Sequence, residues 1–185
     1  MNQSMQTMQT VFDEADCLFN EQQIDAAIHR MATEITRALS EKDPLVLCIM
    51  NGGLILAGQL LPRLPFPLQV DYMHATRYRM ETSGADLDWR VAPEAALTGR
   101  EVLIIDDILD EGKTLAEIIK YCQKKGAANV YTAVLVDKLH DRKAVKGFKA
   151  DFSGLEAADR FLFGYGMDYK GYWRNAPGIY AVKGL

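Results

Sequence analysis

The sequence predicts an α/β domain built on a twisted, mostly parallel sheet flanked by helices, and three observations predict it. Continuous apolar runs of strand length at 45–50, 102–105 and 130–136 read as strands buried on both faces. Stretches with helical apolar spacing alternate with them. Each run also stops at residues that a buried strand does not need: Asn51-Gly52-Gly53, Asp106-Asp107 and Asp137-Lys138. In such sheets ligands bind beyond the carboxyl ends of the strands, so this convergence points to one site rather than three accidents.

The 185 residues suffice for one domain with a sizeable core. A hydrophobic content of 49% with 25% charged residues is ordinary for a globular protein. The net charge of −4 offers no general attraction to nucleic acid or to an acidic membrane face. No apolar run reaches membrane-spanning length, and the polar start 1–10 lacks the basic and apolar regions of a signal peptide. Cys17, Cys48 and Cys122, an odd number set in apolar stretches, read as reduced core thiols of a cytoplasmic protein.

Taken in order, Asn20 opens a helix that carries Ile24, Ala27, Ile28, Met31, Ile35 and Leu39 on one face. Asn20 and Gln23 have the form of a capping box. The strand at 45–50 ends at the two glycines, a short apolar helix follows through Leu60, and Pro62, Pro65 and Pro67 punctuate the next turn. Residues 68–74 alternate as a strand. From 75 to 92 the pattern breaks into a polar segment with Arg77, Arg79, Glu81, Ser83, Gly84, Asp86, Asp88 and Arg90, and a loop of that length is functional or mobile. Short strands at 161–163 and 179–182 close the chain.

The stretch 102–114 changes character three times: an apolar strand, the pair Asp106-Asp107, then a turn with Asp110, Glu111 and Gly112. From Thr114 the helical spacing Leu115, Ile118, Ile119, Cys122 begins, with Gly126 placed as a C-cap. A strand, a short loop and a helix start bring backbone N–H groups and the positive end of a dipole together, which suits a phosphate. Gly112-Lys113-Thr114 looks like the end of a nucleoside-triphosphate P-loop. That motif needs a glycine five positions before Gly112, where Asp107 stands, so it is rejected. A phosphorylated sugar satisfies both demands: loop amides and the Thr114 hydroxyl hold the phosphate, while Asp106 and Asp107 accept from ribose hydroxyls.

These thirteen residues resemble the phosphoribosyl-diphosphate (PRPP) signature of type I phosphoribosyltransferases. Phe161-Leu162-Phe163-Gly164-Tyr165, followed by Asp168-Tyr169 and Arg174, is similar to the purine-binding strand of the hypoxanthine-guanine branch. The matches run from about 45 to 174. The resemblance implies a core over 20–150, a small hood built from 151–185 with part of the N-terminus, and a mobile loop over 75–92. That loop carries a Ser-Tyr pair in the family, where this chain has Arg77-Tyr78. It implies PRPP contacts from Asn51, Gly52, Gly53, Asp106, Asp107, Asp110, Glu111, Gly112, Lys113 and Thr114, with a cis peptide at Met50-Asn51. The family often has a basic residue at the position of Asn51, so only backbone contacts carry over there. Arg142 matches a diphosphate-contacting arginine, or else belongs to a solvated basic face with Lys143, Lys146 and Lys149.

For the base, the resemblance implies that Phe161 stacks on the purine, the Leu162 backbone meets its edge, and Lys138 donates to the 6-oxo group. Asp168 lies near the base and, with Asp106 and Asp107, in the shell of a Mg²⁺. Asp110 is the implied general base near N7. The implied reaction transfers 5-phosphoribosyl from PRPP to N9 of hypoxanthine or guanine in purine salvage, giving IMP or GMP and diphosphate. The implied assembly is a homodimer or homotetramer, with no nucleic-acid or membrane partner. His29, His74 and His140 show no partner pattern for a metal or a triad and are assigned to packing or surface. The rival readings are a regulator of the same fold that binds RNA, a nucleotide-hydrolysing switch on Gly112-Lys113-Thr114, and a transferase for another base such as xanthine.

Overall fold

The computed structural model describes residues 3–77 and 87–185, and its elements are α1 (Gln3–Glu14), β1 (Asp16–Phe19), α2 (Glu21–Leu39), β2 (Leu45–Ile49), α3 (Gly53–Leu60), β3 (Gln69–Arg77), β4 (Leu87–Val91), β5 (Glu101–Leu109), α4 (Lys113–Lys124), β6 (Asn129–Leu139), β7 (Phe152–Ala158), β8 (Leu162–Phe163) and β9 (Ile179–Ala181). Six strands form the main sheet in the order β4-β3-β2-β5-β6-β7, parallel throughout except for the antiparallel β3–β4 pair. A small antiparallel sheet, β1-β9-β8, joins the two ends of the chain. No helix among the described residues is long and apolar enough to cross a membrane.

The apolar runs are continuous because both faces of the main sheet are covered. Val46 and Cys48 of β2, with Leu103 and Ile105 of β5, pack under α2 and α3. Their neighbours Leu45, Leu47, Ile49, Val102 and Ile104 point the other way, onto Leu115, Ile118 and Cys122 of α4. The helix α2 begins as its sequence specifies: the Asn20 side chain accepts from the Gln23 N–H and the Gln23 side chain accepts from the Asn20 N–H. At the end of α4 the Gly126 N–H bonds the Gln123 carbonyl and the Ala127 N–H bonds that of Cys122, a Schellman close that requires the left-handed φ of +85° at Gly126.

Several boundaries differ from the sequence reading. β5 does not stop before Asp106 but continues to Leu109, because it keeps pairing with β6 out to Leu109–Asp137, and β6 continues through Lys138 to Leu139, because those two residues pair with Ala157 and Ala158 of β7. Residues 75–77 and 87–91 are the facing arms of the β3–β4 pair rather than loop. Tyr78, Arg79 and the rest of that segment to Asp86 lie outside the described residues. β7 lies inside 151–185 yet belongs to the main sheet, so the small sheet draws only on the part of the C-terminal segment beyond Ala158. Cys17 is exposed on β1 rather than in the core, whereas Cys48 and Cys122 are buried, and burial pushes each of their thiols up to about 11.

Candidate active site

The chain leaves β2 toward β3 on one side and β5 toward β6 on the other, so the strand order reverses between β2 and β5. The helices that follow these two strands diverge there, which opens a crevice. Pairing makes the crevice deeper than topology requires. β2 follows β5 only to Cys48–Ile105, while β5 runs on along β6 for four more residues. From Asp106 onward, one edge of β5 is bare on the β2 side.

That edge borders a cavity of about 560 Å³, lined by Asn51, Gly52, Asp106, Asp107, Asp110, Glu111, Gly112, Thr114, Asp168 and Arg174, with His74 on its wall. Gly112, at φ +76°, is the N-cap of α4 and supplies no side-chain cap. A Cβ there would meet Phe148 at 2.7 Å and Leu109 at 2.8 Å, so the turn into the helix is closed to larger residues. The first-turn amides of a helix have no carbonyl of their own helix to bond, so this end remains a donor cluster beside the Thr114 hydroxyl. Across the cavity Met50–Asn51 is a cis peptide and Gly52 caps α3. The two glycines are needed for close approach. A Cβ on Gly52 would lie 2.2 Å from Asp107 Oδ2, and one on Gly53 would lie 2.6 Å from the Ile105 carbonyl oxygen.

A second cavity of about 180 Å³ adjoins the first and shares Asp107, Ile108, Asp110 and Asp168 with it, adding Lys138, Phe161, Leu162 and Met167. Phe161 is 45% exposed at its lip, with its ring edge-on to Tyr169 at 5.5 Å. Lys138 is 6% exposed, and its ammonium lies 3.0 Å from Asp159 and 3.4 Å from Asp110. An ammonium has three donors, so one remains for a ligand in this cavity.

Most of the residues predicted from the sequence therefore surround the two cavities. Gly53 is buried beneath the larger one, and Lys113 turns outward, pairing with Glu111 at 2.6 Å. Arg142 lines neither. Its guanidinium bonds Asp159 at 2.6 Å and lies 3.5 Å from Glu111. Arg142 is half-exposed, but Lys143 does not share a solvated face with it, since it bonds Asp137 at 2.6 Å and the Leu109 carbonyl at 2.7 Å. Asp159 and His140 were missed. His140, assigned to packing or surface, has a partner after all: its Nε2 lies 2.7 Å from Asp110 Oδ1. His74, assigned likewise to packing or surface, lines the larger cavity. Arg174 joins two carboxylates, bonding Asp168 and lying 3.9 Å from Asp107.

The sequence profile of the family described as phosphoribosyl transferase domain matches residues 14–170. The chain belongs to the phosphoribosyltransferase family. It is 35% identical to the hypoxanthine-guanine phosphoribosyltransferase of Aquifex aeolicus over 90% of this chain and 93% of that one. It is 31% identical to the Bacillus subtilis protein of the same name, over 90% and 92% of the two chains. The crystal structure of a hypoxanthine phosphoribosyltransferase from Staphylococcus aureus superposes with a TM-score of 0.86 at 25% identity, covering 99% of this chain and 96% of that one.

Within this phosphoribosyltransferase fold, the two adjacent acids are the electrostatic centre of the site. Burial and the neighbouring charge of Asp107 push the Asp106 carboxyl well above the usual range. Burial also raises Asp107, against the opposing pull of an Asp106 hydrogen bond and of Arg174. Two desolvated acids whose nearest cation, Arg174, is shared with Asp168 are under-neutralised, the condition a substrate-borne cation relieves. Mg²⁺ uses one or two carboxylates together with water and substrate phosphates, and Asp106, Asp107 and Asp168, which line the larger cavity without converging on one point, supply that many between them. Among the described residues, the one cluster of three donors close enough for a metal is Asp110, His140 and Asp159. Lys138 and Arg142 already neutralise that cluster, so it reads as an ion-pair network.

The same close packing yields a stability prediction. Gly166 has φ +107°, and a Cβ there would stand 2.2 Å from the Gly52 carbonyl oxygen. Gly166→Ala is expected to lose about 3 kcal/mol or more, roughly 6–12 °C of Tm, because the position is closed to L-residues and the clash is with backbone. Gly58, inside α3 with open space at its Cβ, is the control. Gly58→Ala should hold or gain about 0.5–1 kcal/mol in the same thermal scan.

Proposed function

We propose that the protein transfers 5-phosphoribosyl from PRPP to N9 of a 6-oxopurine, hypoxanthine or guanine, and so serves purine salvage as a cytoplasmic homodimer or homotetramer. The observation that carries this reading is the pair of adjoining cavities. One has a helix start facing two carboxylates, the other has an aromatic lip and a buried lysine, and they meet at Asp110.

In this reading the first-turn amides of α4 and the Thr114 hydroxyl hold the 5-phosphate, and Asp106 and Asp107 accept from the ribose hydroxyls. Backbone amides after Asn51 face the diphosphate, whose departing charge they stabilise. Mg²⁺, held by Asp106, Asp107 and Asp168, would supply further neutralisation of the diphosphate. The C1′–oxygen bond to diphosphate breaks as the C1′–N9 bond forms, and the carboxylates favour the positive charge that develops on the ribosyl centre. Asp110 takes the proton that the purine must lose. Phe161 covers the base, and the free donor of Lys138 meets the 6-oxo oxygen.

An adenine amino group would set donor against donor at Lys138, which is where selection lies. A spectrophotometric assay with PRPP, Mg²⁺ and each of hypoxanthine, guanine, xanthine and adenine tests the reading. Turnover with 6-oxopurines is expected, with adenine slower by about 100-fold or more. Lys138→Ala should lower kcat/KM for hypoxanthine by about 100-fold and erase that preference. Turnover of adenine comparable to hypoxanthine by the unaltered protein would overturn the assignment.

A further inference from the structure

We infer that His140 is a positioning residue for this reaction, orienting the Asp110 carboxylate toward the purine; the inference rests on the function proposed above. Asp110 lies just past the end of β5, and its side chain is 45% exposed. A carboxylate in that setting has free rotamers unless something fixes it. His140 does so from just past the end of β6, with its Nε2 2.7 Å from Asp110 Oδ1 and its side chain only 5% exposed.

The second ring nitrogen decides the proton's location. The Arg142 backbone N–H donates to His140 Nδ1 at 3.0 Å, so Nδ1 accepts and the ring proton resides on Nε2, aimed at Asp110. Turning the ring over would break both bonds. Asp110 Oδ1 is thus occupied, which leaves Oδ2, 3.4 Å from the ammonium of Lys138, a residue lining the smaller cavity, as the oxygen available to the purine. The arrangement is the one in which a base is held by a third group at the far side from its reaction. Here the two roles of His140, donor to Asp110 and acceptor for the turn at Arg142, lie on different atoms and can be separated.

His140→Asn keeps an acceptor for the Arg142 N–H through an Asx-turn but is too short to reach Asp110. His140→Gln reaches toward Asp110 with its amide N–H and gives up the turn bond. Steady-state kinetics with PRPP and hypoxanthine, alongside thermal unfolding, reads both. We expect His140→Asn to lose about 10- to 100-fold in kcat with KM values and Tm near wild type, and His140→Gln to recover most of that loss. In an Asp110→Asn background, His140→Asn should cost nothing further, because the two act as one unit. A kcat for His140→Asn near wild type, the reverse ranking of the two variants, or full additivity with Asp110→Asn would each overturn the inference. A wild-type protein without transferase turnover removes the proposed function itself, and the inference with it, before any variant is compared.

Discussion

Asp110→Asn is expected to lower kcat by about 100- to 1,000-fold, the range for loss of a positioned general base, while purine-mononucleotide affinity stays within about three-fold. The substitution is unusually clean at this position. Asparagine keeps the shape and an oxygen that accepts from His140 Nε2. Lys138 does not lose its counter-charge, since Asp159 remains 3.0 Å from its ammonium. What disappears is basicity at a carboxylate that borders both cavities and faces the buried lysine. Steady-state turnover with PRPP and hypoxanthine measures the rate, and calorimetry with IMP measures the binding. Turnover near wild type would remove Asp110 from its assigned role. A parallel collapse of mononucleotide affinity would instead make it a binding group.

Where local chemistry decides structure, the sequence was sufficient. The capping box of α2, the two-faced strands β2 and β5 and the Schellman end of α4 each depend on residues within one or two turns. So did most of the site, because Asn51 and Asp110 follow buried strands, Gly112 and Thr114 stand at a helix start, and Asp106 breaks an apolar run even though β5 itself continues past it. What stayed hidden depends on partners far along the chain. β7 contains Gly154, which breaks its apolar run. That glycine is there because a Cβ would meet the Leu135 carbonyl at 2.7 Å and Met31 at 3.0 Å. With β7 unread, Asp159 had no strand end to mark it. Asp110, His140 and Asp159 come directly after three neighbouring strands, β5, β6 and β7, and only that adjacency brings them together. The N-terminal helix α1 was equally invisible, being polar in sequence. Aromatic contacts hold it: Phe12 stacks on Trp173 at 4.7 Å, and the Trp173 indole donates to the Met8 carbonyl at 2.8 Å.

Asp106→Asn should separate stability from function in opposite directions. In the folded protein, burial and the adjacent Asp107 hold the Asp106 carboxyl well above its ordinary value of 3.8. A group raised in this way contributes stability that is fully present below the unfolded-chain value and is lost as pH rises through the folded one. The ligand-free protein is therefore expected to melt at a higher temperature at pH 5 than at pH 7. Asp159, pushed down to about 2 by Arg142 and Lys138, works in the opposite sense but only at lower pH, outside that window. Asparagine removes the charge and keeps an oxygen to accept the Asp107 N–H, now at 3.0 Å. We expect Asp106→Asn to gain about 1–2 kcal/mol at pH 7, roughly 3–6 °C, and to reduce the difference between pH 5 and pH 7, Asp107, likewise raised by burial, keeping the remainder. Its kcat/KM for PRPP should fall about 100-fold, through lost charged hydrogen bonds to the sugar. Adding PRPP with Mg²⁺ should then raise the Tm of the wild type more than that of the variant, since only the wild type has at this position an acid whose ionised form the bound cation favours. A variant that melts lower, or that keeps the wild-type pH difference, would mean that Asp106 is already neutralised within the fold. The under-neutralised acid pair would then no longer explain why this crevice takes a cation-bearing sugar diphosphate.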